Sequence, residues 1–122
     1  MALGTTSAGT WNLTCEQGAT FIRDVNGWTI DDVAENITGY TIRMQVRRQP
    51  SSADYEVYID NASRGGITIT NGALGAYRIT LTAAQTASLD VGIHYYDIEI
   101  TDGTLVTRHL KGTFTVDPEV TK

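Results

Sequence analysis

The last third of the chain, from Leu81 to Thr121, admits few folds. A Thr-x-x-Gln spacing at Thr82 and Gln85 opens an Ala-rich run to Leu89. There a threonine hydroxyl and a glutamine side chain each satisfy a free backbone amide. The run is too short to be stable as an isolated helix, so it reads as a helical connector over about 82–90, ended by Gly92. Tyr95–Ile100 then alternates, turns at Asp102-Gly103, and returns through Thr107–Gly112 and Phe114–Val116 to Asp117-Pro118. Asp-Gly between two alternating runs signals a hairpin, because both turn positions must tolerate positive φ. Tyr96, Ile98 and Ile100 are expected inside with Asp97 and Glu99 outside, and Leu110, Gly112, Phe114 and Val116 form the last inner row.

The same grammar extends upstream. Trp11, Leu13 and Cys15 share one phase, Thr20–Val25 reads as a strand, and Asn26-Gly27 is a second hairpin signal. Trp28–Ile30 continues outward, and Asp31-Asp32 starts a polar connection. Tyr40, Ile42, Met44 and Val46 alternate with Thr41, Arg43, Gln45 and Arg47, the pattern of a strand with one wet face. Gln49–Ser52 interrupts it, Tyr55–Ile59 resumes it, and Arg64-Gly65-Gly66 turns into Ile67–Thr70. After Asn71-Gly72 comes the inner row Tyr77, Ile79 and Leu81. Roughly eight short strands with turns every 8–12 residues predict an all-β, antiparallel, immunoglobulin-like β-sandwich. A flexible arm is expected over residues 1–10, with the single domain over 11–122.

Bulk properties narrow the function classes. A chain of 122 residues is long enough for one core. The net charge of -5 opposes nucleic-acid binding, which needs a clustered basic surface. The one cysteine, Cys15, allows no internal disulfide and shares the inward phase of Trp11 and Leu13, the place of a small buried hydrophobe. The N-terminus lacks the basic start and apolar run of a signal peptide, and no stretch approaches a membrane span.

No set of residues has the spacing of a catalytic or metal centre. His94 and His109 flank the Tyr95–Thr104 hairpin, and pairing about Asp102-Gly103 would bring them together at its far end, with Cys15 or Asp97 as further zinc ligands. No ligand spacing supports that, and two surface or edge histidines are the expectation. Serines 7, 51, 52, 63 and 88 lack a nucleophile-elbow pattern. The carboxylates Asp24, Asp31, Asp32, Asp54, Asp60, Asp97, Glu99 and Asp102 lie in turns or on wet faces without EF-hand spacing. The chain is therefore expected to be no enzyme and to hold no cofactor or metal. Tyr55, Tyr58, Tyr77 and Tyr95 with Trp11 and Trp28 raise a carbohydrate-stacking platform as an alternative to core and interface packing. Sequons at Asn12, Asn36 and Asn61 read as chance in a Thr-rich chain.

Several runs carry a resemblance in their order. They are Trp11-x-Leu13, Gln17–Phe21, Asn26–Trp28, Ile37–Arg47, Gly65–Ile69, Tyr77–Leu81, the Thr82–Leu89 connector, Tyr95–Glu99, Asp102-Gly103 and Arg108–Val116, closing on Pro118–Thr121. Together they resemble the N-terminal β-sandwich of tailed-phage upper-baseplate and tail-fibre attachment proteins. The resemblance implies a virion structural protein, present in many copies or as a homo-oligomer, that docks tail, baseplate or fibre components. It implies protein partners and neither nucleic acid nor membrane. Such proteins continue into a stalk or receptor-binding region, so a chain ending at Lys122 is expected to be a separate small virion protein. A carbohydrate-binding module for host attachment and a head decoration protein are the alternatives. The expected interaction surface is Arg43, Arg47 and Arg48 with Tyr55 and Tyr58, joined by the arm over residues 1–10.

Overall fold

The computed structural model describes residues 8–30 and 32–120. Its strands are β1 (Gly9–Thr10), β2 (Leu13–Glu16), β3 (Phe21–Val25), β4 (Thr29–Ile30), β5 (Val33–Ala34), β6 (Thr41–Arg47) and β7 (Val57–Asp60). They continue with β8 (Ile67–Asn71), β9 (Ala76–Leu81), β10 (Gly92–Thr101) and β11 (Val106–Asp117), and α1 (Ala83–Ala87) links β9 to β10. A six-stranded sheet runs β1-β11-β10-β6-β7, with β2 also on β11, and a three-stranded sheet runs β3-β9-β8. β4 and β5 form a separate small hairpin. All these pairings are antiparallel except those of β1 and β2, which lie parallel to β11. This is the expected all-β, sandwich-like fold of antiparallel sheets.

The alternation in the sequence becomes the layering. Ile42, Met44 and Val46 of β6 and Ile98 and Ile100 of β10 are fully buried against Tyr77, Ile79 and Leu81 of β9. Phe21 meets Phe114 edge-on at 5.1 Å, so an aromatic contact joins the sheets near β2. Arg23 covers the seam between β2 and β3: its guanidinium lies 4.4 Å from the Phe21 ring centroid and donates to the Thr14 carbonyl at 3.1 Å. The connector has both capping-box bonds, Gln85 N–H to Thr82 Oγ1 at 3.1 Å and Thr82 N–H to Gln85 Oε1 at 2.8 Å. It ends at Ser88, before Gly92, and delivers Leu89 into the core.

Four expectations are corrected. Asn26-Gly27 closes no hairpin, because β3 pairs with β9; the tight turn comes later, between Ile30 and Val33, with Asp32 at φ 63. Gly9 and Thr10 belong to paired strand β1 and not to an arm. The rest of that arm up to Ser7, and Asp31, lie outside the described residues. His94 and His109 are buried, not surface groups. Nor do they meet at the hairpin's far end: His94 faces Phe114 in register, while His109 falls in a bulge between Ile98 and Glu99.

That bulge decides which residues of β11 face out. Strict alternation from Leu110, Gly112, Phe114 and Val116 would turn Arg108 inward and His109 outward. The extra residue reverses both, so Thr107 and His109 are buried while Arg108 is exposed. At Gly112 a Cβ would lie 2.5 Å from the Trp11 carbonyl oxygen, so only glycine lets the segment between β1 and β2 cross there. The Tyr96 hydroxyl donates to that same carbonyl.

Candidate functional site

The outer face of the six-stranded sheet is a ladder of outward positions. Tyr95 stands opposite Arg47, Asp97 opposite Gln45 and Lys111, and Glu99 opposite Arg43 and Arg108. Tyr58 of β7 extends the middle row beside Gln45. With Thr10, Asn12 and Thr113 on the β1/β2 side and Pro50 on the other, these groups line an open basin of about 680 Å³. The volume is within the range of ligand sites.

Its electrostatics follow from the register. Arg43 reaches directly across to Glu99, with Nε to Oε1 at 2.8 Å. Arg108 leaves its own partner Glu99 and bonds Asp97 diagonally, Nε to Oδ2 at 3.1 Å. Burial raises the Asp97 carboxyl above its ordinary value, and Arg108 opposes that shift. Arg47 is held by neutral acceptors, Gln45 Oε1 at 2.6 Å and the Ser52 carbonyl at 2.9 Å.

Of the residues expected at the interaction surface, Arg43, Arg47 and Tyr58 line this basin; Arg48 and Tyr55 do not. Tyr55 is exposed and packs edge-on against Tyr58 at 5.3 Å, and the Arg64 guanidinium lies 3.9 Å from the Tyr58 ring centroid. The six-aromatic platform does not form. Tyr77 and Trp28 are buried around His109, with a 2.9 Å hydrogen bond between Tyr77 Oη and His109 Nδ1 and a ring distance of 4.6 Å to Trp28. Sequence reasoning left Arg108 and Lys111 out of the surface. Lying three residues apart, they share a face only because of the His109 bulge, which no residue type announces.

Other candidate chemistry is absorbed by the fold. The Cys15 thiol is pushed up to about 11 by burial and by Glu16 and Asp117, which disfavours the thiolate. Among the described residues, no group of three or more His, Cys, Asp and Glu side chains is placed to hold a metal ion. The sequon asparagines brace the backbone. Asn61 accepts from Ile42 N–H and donates to the Tyr40 carbonyl, both at 2.9 Å, while Asn12 accepts from Thr113 N–H at 3.1 Å. Asn36 accepts from Thr38 N–H at 3.0 Å. Compared with known proteins, the chain matches no family model and no curated protein sequence.

Proposed function

We propose that the chain is a non-enzymatic structural module of a tailed-phage virion, placed in the tail, baseplate or fibre attachment. It docks another virion protein on the outer face of the six-stranded sheet. The observation that carries the docking reading is the basin itself, where tyrosines and cross-strand ion pairs stand on four adjacent strands. Such a floor keeps its side chains in place before a partner arrives, which lowers the entropy lost on binding. The virion setting is supported by the ordered resemblance from Trp11 to Thr121. A head decoration protein would use the same face and differ in its neighbour.

The glycan-binding alternative is weaker, because Arg64 covers Tyr58 and Tyr55 packs against it. Sugar stacking needs a free ring face. Two measurements test the proposal: mass spectrometry of purified particles, and incorporation of Thr113→Trp, which adds bulk to the basin rim. The chain is expected in particles in multiple copies, and the folded variant is expected to be excluded. Absence of the chain from particles would overturn the virion role. Normal incorporation of Thr113→Trp would overturn docking on this face.

A further inference from the structure

We propose that the basin receives an extended acidic segment of the partner protein, with two carboxylates spaced to reach Arg47 and Lys111; this rests on the docking reading above. The basin holds four cations, Arg43, Arg47, Arg108 and Lys111, against two carboxylates, Asp97 and Glu99. Both carboxylates are already claimed, Glu99 by Arg43 and Asp97 by Arg108. Lys111 stands opposite Asp97 in register, yet among the described residues it forms no ion pair because Arg108 takes that carboxylate. Arg47 is oriented by two neutral oxygens and meets no carboxylate within ion-pair distance among the described residues. Two cations thus remain for a ligand, on a chain whose net charge is -5.

Geometry sets the ligand's spacing. Arg47 and Lys111 lie on strands flanking β10 and two residues apart along it, opposite Tyr95 and Asp97. Two strand spacings across and two residues along give about 12 Å between their backbone positions. An extended peptide advances about 3.3 Å per residue and alternates its side chains, so glutamates four residues apart, on the same face, match. Tyr95, between them, offers apolar contact to the intervening residues. Arg47 is the stronger anchor: its guanidinium is already oriented and can meet a carboxylate with paired, charge-assisted hydrogen bonds. A nucleic acid fits poorly, since duplex DNA brings a charge about every 1.7 Å to a site with two free cations on an acidic protein.

The test is an NMR titration of the full chain with a peptide carrying two glutamates four residues apart, beside its glutamine counterpart. Amide shifts are expected to centre on Arg47, Tyr95 and Lys111, and to fade in about 0.5 M salt. Lys111→Glu should weaken binding about five- to tenfold; among the described residues the Lys111 side chain forms no ion pair, so the variant should remain folded. No shifts at millimolar peptide and low salt, or equal binding of the glutamine peptide, would overturn the proposal. Stronger binding of polygalacturonate or single-stranded DNA would overturn it in favour of a glycan or nucleic-acid site. If Lys111→Glu enters particles normally while Thr113→Trp does not, docking stands and only its acidic partner is lost.

Discussion

On the inner side of β10, His94, Tyr96, Ile98 and Ile100 are almost wholly removed from water; on the outer side, Tyr95, Asp97, Glu99 and Thr101 remain half-exposed. The same strand presents a dry jigsaw to one neighbour layer and a charged basin to the other. The difference is one of dielectric and packing. Inside, each methylene and each polar contact is fixed by surrounding atoms, so removing one leaves a cavity or an unpaired group. Outside, ion pairs as short as 2.8 Å are partly offset by water and mobile salt. The inner side therefore holds the fold together, and the outer side is free to serve recognition.

Substitutions should separate the two sides by size of effect. Phe114→Ala, at the aromatic contact with Phe21 and Tyr96, is expected to destabilise by about 3–5 kcal/mol in urea unfolding. A loss under about 1 kcal/mol would mean that the inner layer repacks freely and would break the comparison. Next in size is the proton linkage of His109, whose pKa is lowered from 6.5 to about 4 by burial. The unfolded chain binds that proton near pH 6.5 and the folded chain only near 4. Its contribution is complete above about 6.5 and is lost as the pH falls to 4, an expected loss of about 3 kcal/mol. Urea titrations of the parent and His109→Gln should differ by this slope, and parallel curves would refute it.

The smallest effect belongs to the wet faces. A double-mutant cycle on Arg43 and Glu99 should give a coupling of about 0.5–1 kcal/mol. The more exposed Arg78–Asp24 pair on the three-stranded sheet should give less. Equal couplings would show that the basin offers no shelter beyond an ordinary surface.

Much of this was legible in the residues. The inner rows of β6, β9 and β10, the capping box and the Asp102-Gly103 hairpin all follow from period-two alternation and turn chemistry, which act over a few neighbours. What failed depended on distant partners. Asn26-Gly27 has hairpin chemistry, but β3 is taken by β9, some fifty residues later in the chain, and local turn preference yields to that pairing. Tyr77 lies in the inner row that alternation predicts, but its hydrogen bond to His109 across the core was not legible, because the bulge in β11 turns His109 inward. For the site, Arg43, Arg47 and Tyr58 could be named from alternation. Arg108 and Lys111 could not, because one bulge changes the parity of β11.

The residues alone determined that this chain is antiparallel β with one dry and one wet side to its strands, because side-chain direction in a strand is fixed by backbone geometry. They also determined that its surface is acidic overall with local clusters of arginine. Only the tertiary structure decided which wet face became a basin and which of its charges were spent on one another. Those outcomes depend on strand order and on the His109 bulge, set when β10 lies between β6 and β11. Cross-strand register, a property of paired strands and not of either strand alone, sets Arg47 opposite Tyr95 and brings Arg108 within reach of Asp97, so that among the described residues neither Arg47 nor Lys111 forms an ion pair.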